Sequence, residues 1–198
     1  MHTWKDEIHR KIGRNIAMFQ RAEACLKYLV FIGSLSTKSK SPSGEDCSIE
    51  KQILKKKKEI LILTIGQLLT KFFNSSLNNV SQQEHIEWSG GIDIDLRFSY
   101  GTPDDQKELR RKLQILKNER NKLAHELFFS WDLKTDDGLA NLESDLDRKY
   151  EEFLPLTDEL VRLSQEIEKI ITSSTGKMSN LLQEDKSNGQ VVQEKITH

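Results

Sequence analysis

Leu109, Leu113, Leu116, Arg120, Leu123 and Leu127 follow one another at spacings of 4, 3, 4, 3 and 4. That rhythm returns to one face of a helix at every turn, and no strand can use it. Gly101-Thr102-Pro103-Asp104-Asp105 stands in front of it, with a capping threonine, a proline at the first position and acids in the first turn. A helix is therefore predicted from there to about Phe129. Arg120 occupies a place in the stripe that the pattern would give to leucine.

The same period recurs in three other stretches. From Thr3, a plausible N-cap, to about residue 33 it is carried by Ile8, Ile12, Ile16, Phe19, Leu26 and Val30, with the polar Asn15 and Glu23 on or beside the stripe. From about Ser48 to Asn74, Leu54, Leu61, Ile65, Leu68 and Phe72 set one face, and Ile53, Ile60 and Leu69 widen it. The last stretch, about Leu139 to Ile171, runs through Leu142, Leu146, Tyr150, Phe153, Leu156, Leu160, Leu163, Ile167 and Ile170. Pro155 lies within it and is expected to kink or divide the helix. These stretches predict an all-α fold, an antiparallel four- to five-helix bundle.

Two segments break the pattern. Ser34 to Cys47 is rich in Ser, Lys and Gly around Pro42 and is expected to be a loop. Between the second and third helices, Ile92, Ile94, Leu96, Phe98 and Tyr100 alternate with polar residues after Gly90-Gly91. A small β-hairpin insertion over about residues 80–100 is expected, leaning on the helices or on a second chain. Residues 1–174 are expected to form the helical domain, and the polar stretch 175–198 a flexible tail.

The 198 residues carry a formal net charge of −1, so no bulk basic field draws nucleic acid, and any such contact needs a local patch. Lys55 to Lys58 are four consecutive residues that spread round most of a helix, which favours a solvated set over a phosphate groove. Cys25 and Cys47 suggest no disulfide framework, and the charged N-terminus is no secretory signal. The apolar run Ile60–Ile65 is far below the roughly 20 residues of a membrane span. A soluble, cytoplasmic protein without a membrane partner is expected. The histidines are scattered and no phosphate- or dinucleotide-binding glycine motif occurs, so no metal and no cofactor is expected.

Arg120, Asn121 and His125 carry the chemistry. On a helix Asn121 and His125 share a face, while Arg120 and His125 are about 140° apart and on the order of 7.5 Å along the axis. Arginine is long enough to bend back toward the imidazole. It offers a fixed charge and forked donors suited to phosphate, histidine exchanges protons near neutral pH, and asparagine can hold either the imidazole or a phosphate oxygen. Metal-free RNA cleavage through the 2′-hydroxyl needs such groups: a base, a cation for the phosphorane and an acid for the departing oxygen. One chain supplies one such histidine, and a two-fold dimer would supply two. Spacing alone favours a structural arrangement, with Arg120 paired to Glu23 or another buried acid and His125 hydrogen-bonded to a neighbouring helix.

Arg120-Asn121-x-x-Ala124-His125, near the end of a third helix, resembles the R-x4–6-H motif of the HEPN superfamily. Lys11-Ile12-Gly13-Arg14-Asn15 with Phe19-Gln20, Glu23 and Leu26-Lys27 resembles the first helix of the HEPN-like domain associated with OST-HTH (LOTUS) modules. Trp131-Asp132, Leu142-Glu143 and Glu152-Phe153-Leu154-Pro155 continue the likeness, which covers most of residues 5–170. The resemblance implies a HEPN-like helical homodimer, either a metal-independent endoribonuclease of toxin–antitoxin or phage-defence systems or a non-catalytic RNA- or protein-binding domain. It implies catalytic roles for Arg120, Asn121 and His125, RNA as partner, and an antitoxin or defence-system protein as a further one. Glu126 stands where members of that group often have a second histidine. Leu127 stands where the toxins silenced by nucleotidylation have tyrosine. A LOTUS module has no room here, so a free-standing HEPN-like protein is expected.

Overall fold

The computed structural model describes residues 4–38, 49–76, 93–95 and 100–194. Its elements are α1 (Trp4–Gly33), β1 (Ser36–Lys38), α2 (Ile49–Leu61), α3 (Ile65–Ser76), β2 (Asp93–Asp95), α4 (Pro103–His125), α5 (Leu127–Ser130) and α6 (Asp136–Glu194). The fold is all-α, with α1, α2, α3, α4 and α6 as its long helices. Two compact units divide after Leu160.

In the first unit α1 is the central helix, packed against α2, α3 and α4. It also runs alongside α6, where Phe19 meets Phe153 at 6.0 Å between ring centroids. Lys11 contacts Asp147 and Arg21 contacts Asp158, so these two helices run parallel. Helix α4 is antiparallel to α6: Tyr100, just before it, bonds Glu159, and Glu119 further along bonds Lys149. Leu26, Leu29, Val30, Leu68, Phe72, Leu113, Leu116, Leu142, Leu146 and Leu160 are fully buried between these helices. The buried row Leu109, Leu113, Leu116 and Leu123 follows the leucine rhythm of α4. The start of α4 is a full capping box, Thr102 and Asp105 each bonding the other's backbone N–H.

The second stretch is two helices, where one was expected. The chain breaks at Ile62-Leu63-Thr64, and Thr64 opens α3 by a reciprocal cap with Gln67: Thr64 N–H donates to Gln67 Oε1 at 2.9 Å and Gln67 N–H to Thr64 Oγ1 at 3.4 Å. The break resets the helical phase. Ile60 is buried at 2% exposure, whereas Leu54 and Leu61, expected on the core face, are 55% and 54% exposed. Ile65, Leu68, Leu69, Phe72 and Phe73 of α3 are all buried. Ile16 of α1, also expected on the apolar stripe, is exposed.

Ser36–Lys38, expected within a loop, pairs antiparallel with Asp93–Asp95 in the register Ser36↔Asp95, Thr37↔Ile94, Lys38↔Asp93. The rest of the expected hairpin, including its Gly90-Gly91 turn, lies outside the described residues, as does Thr3. Helix α4 stops at His125, earlier than expected, and the single turn α5 follows it. Pro155 does not divide α6, which begins at Asp136 and runs on through it. Phe153, Leu156, Thr157 and Leu160 around the proline are buried, and that packing holds the helix across the missing backbone donor.

The second unit begins at Val161 and is the remainder of α6, helical to Glu194. Within it the Thr172 and Ser173 hydroxyls donate back to the carbonyls of Glu168 and Ile170. No helix among the described residues is long and apolar enough to cross a membrane.

Candidate functional site

Arg120 lies between the buried Leu116 and Leu123 in the leucine row of α4. A guanidinium cannot be dehydrated cheaply, and its side chain remains 36% exposed. Its Nη1 donates to Asn121 Oδ1 at 3.2 Å, and Nη2 is 3.8 Å from Glu23 Oε2 on α1. Glu23 is the more enclosed partner, 19% exposed, and Lys27 one turn on takes its Oε1 at 2.9 Å. The geometry therefore contains the Arg120–Glu23 contact of the structural alternative, but as a long one in which Lys27 holds the carboxylate more closely.

A cavity of about 210 Å³ opens beside Arg120, lined by Ile16, Phe19, Gln20, Leu123 and Ala124. Its walls are mostly apolar, and the exposed Ile16 forms its α1 side with Phe19 and Gln20. A charged group at the edge of an apolar cleft meets an incoming anion with less competition from water.

His125 is the last residue of α4 and is exposed. Glu126 N–H still closes on the Lys122 carbonyl at 2.8 Å, the last bond of the helix, and at Glu126 the chain leaves helical geometry. Among the described residues no hydrogen bond joins His125 to Arg120 or Asn121, and Asn121 is engaged by Arg120. The three candidate residues thus share one end of α4, with Arg120 and Asn121 joined and His125 standing free beside them.

Below this end α4 is anchored by a group that periodicity did not single out. Lys149 of α6, 4% exposed, places its ammonium 2.8 Å from Glu119 and 2.8 Å from Asp145, above the Trp131 ring at 4.9 Å. Burial pushes the Glu119 and Asp145 carboxyls up, and their hydrogen bonds to Lys149, with those from Lys122 and Arg148, outweigh it and bring both below the ordinary carboxylate values. A signal for this cluster existed in the lysine set between Asp145 and Phe153, at a position facing the core.

Lys11, Arg14 and Asn15, which carried the resemblance in the first helix, clasp α6. Lys11 bonds Glu143 and Asp147, each at 2.6 Å, and Arg14 bonds Asp147 at 2.6 Å while stacking on Tyr150 at 4.0 Å. Asn15, fully buried, donates to the carbonyls of Lys11 and Leu146 at 3.0 Å each. The hydrogen bonds from Lys11 and Arg14 hold the Asp147 carboxyl below its usual range, and those that Lys11 donates to Asp147 and Glu143 raise its ammonium. These residues position α1, and with it Glu23 and Ile16 opposite Arg120.

No family model, curated protein or solved structure matches the chain. No group of three or more His, Cys, Asp or Glu that could hold a metal ion occurs among the described residues.

Proposed function

We propose that the chain is a HEPN-type, metal-independent endoribonuclease whose complete site forms when two copies bring their α4 ends together. The observation that carries this is the placement of a partly exposed Arg120, joined to Asn121, beside an exposed His125 at one end of the same helix. Opening the short Arg120–Asn121 unit toward solvent leaves donors for a phosphate, and the 3.8 Å contact to Glu23 is weak enough to yield to one.

One histidine removes the 2′-hydroxyl proton, and O2′ attacks the adjacent phosphorus. Arg120 stabilises the charge of the phosphorane, with Asn121 positioning a phosphate oxygen. The bond from phosphorus to O5′ then breaks as the second histidine delivers a proton to O5′. The products are a 2′,3′-cyclic phosphate and a 5′-hydroxyl end. Two proton transfers at one phosphate ask for two imidazoles, and a two-fold axis supplies the second. The setting is a bacterial toxin or phage-defence system in the cytoplasm, with an antitoxin or defence-system protein as regulator.

A second reading is a non-catalytic HEPN-like module that dimerises and binds RNA or a protein. The Arg120–Glu23 contact favours it, because a neutralised arginine is a poorer transition-state cation. Activity separates the two, with assembly as the control for folding. His125→Ala and Arg120→Ala are expected to lose RNA cleavage while sedimenting as wild type does. Full cleavage by either variant would refute the nuclease.

A further inference from the structure

The charges of α4 are sorted by side. At 100° per residue, Lys107, Arg110, Gln114, Lys117, Asn121 and His125 lie within about 80° of one another, at successive spacings of three or four. The four acids of the helix, Asp104, Asp105, Glu108 and Glu119, fall within about 100° on the opposite flank. Cations on that acidic flank are consumed locally: Arg111 bonds Glu108 at 2.8 Å, Lys112 approaches it at 3.9 Å, and Lys122 bonds Glu119 at 2.9 Å.

The basic flank has no such partners. Lys107 and Lys117 make no ion pair among the described residues, and Arg110 lies over the Phe73 ring at 4.5 Å, which leaves its charge in place. Helix α3 borders this flank and contains no acidic residue from Ile65 to Ser76. The Lys117 stem passes 3.9 Å from the point a Gly66 Cβ would occupy, so it packs against α3. The row extends for about 27 Å of helix and ends at Asn121 and His125.

We infer that this flank of α4 is the path of the RNA substrate, a track that binds the phosphates of one strand and delivers it to Arg120 and His125. The inference rests on the nuclease or RNA-binding reading above. A row of cations and amides, with no acid between them on α4, suits a phosphate backbone more than a base sequence. A chain of net charge −1 can then meet a polyanion through a local patch: Lys107, Arg110 and Lys117, with no acid paired to them among the described residues, stand together on one side of one helix.

The test uses the full-length His125→Ala chain, in EDTA, with a fluorescent single-stranded RNA and anisotropy as readout. Lys107→Gln with Lys117→Gln removes two cations from the track. Arg111→Gln with Lys112→Gln removes two from the opposite flank and serves as the control, with circular dichroism showing that both variants fold. The track pair is expected to bind roughly tenfold more weakly, and its salt slope to fall by about 1.4, equivalent to two lost phosphate contacts. The control pair is expected to stay within about twofold. Equal weakening by both pairs, unchanged binding by the track pair, or no RNA binding by the parent chain overturns the path. Cleavage by wild type is measured separately: flank-specific binding without cleavage refutes the nuclease alone, and cleavage with flank-independent binding refutes the path alone.

Discussion

Arg120 of α4 stands 3.8 Å from Glu23 of α1, while Lys27 holds the other oxygen of that carboxylate at 2.9 Å. Glu23 is thus tied to its own helix and only borrows the arginine. Glu23→Gln is expected to change stability by less than about 1 kcal/mol, because both partners keep contact with water. It should also release Arg120 toward phosphate and strengthen RNA binding by about twofold to fivefold. Thermal melting and RNA anisotropy on the same variant check this. A large drop in melting temperature would show that the contact is a structural pair.

Lys149 is a different case, since it is buried against Glu119 and Asp145. Lys149→Met is expected to cost toward the lower end of about 3–5 kcal/mol, the two acids retaining some solvent contact. The pH dependence has a definite sign. Glu119 and Asp145 have folded values below their unfolded ones, so they stabilise the wild type above the ordinary carboxylate range, and this is lost as pH falls through the folded values. Without Lys149 burial raises these carboxyls, so the variant loses less on acidification. The melting-temperature gap between the two proteins should be widest at neutral pH and narrow below about pH 4.

The phase reset between α2 and α3 is testable one residue at a time. Ile60→Ala is expected to destabilise by about 2–5 kcal/mol, as for a buried isoleucine. Leu61→Ala, next to it and exposed, is expected to stay within about 0.5 kcal/mol. Chemical denaturation measures both. One continuous helix through residues 54–72 would instead make Leu61 the costly position.

Gly138 opens α6 against the loop before it. An added Cβ would lie 1.8 Å from the Asp132 carbonyl oxygen, and that loop is fixed by Asp132 accepting from Lys134 N–H and the Thr135 hydroxyl, each at 3.1 Å. Backbone must move to admit the methyl. Gly138→Ala is expected to cost about 3 kcal/mol, read from the denaturation midpoint.

Much of the helical architecture was legible in the apolar rhythm, because a stripe at three-to-four spacing has one economical use. The leucines of α4 are buried where the rhythm placed them, and Arg120 stands in their row. The break at Ile62–Thr64 was harder to see, since Leu54, Leu61, Ile65, Leu68 and Phe72 fit one uninterrupted helix equally well. Only the Thr64-x-x-Gln67 cap opposes that continuity, and capping is a weaker signal than periodicity. At Pro155 the helix is not divided: the cost of a missing donor was visible, but the tertiary burial that offsets it was not. The Arg120–Glu23 contact could be named from the chain because both residues interrupt apolar stripes. The partners of Lys149 could not, since its place on the core face marks the lysine but not Glu119 of α4 or Trp131 of the connection.

The central claim is that Arg120 and His125 cleave RNA through its own 2′-hydroxyl without a metal. Incubating wild type and His125→Ala with total RNA and a tRNA pool in EDTA, followed by end-group analysis, tests it most directly. Fragments ending in 2′,3′-cyclic phosphate from wild type, and none from His125→Ala, are the predicted result. Intact RNA from wild type, or the same fragments from both proteins, would contradict it.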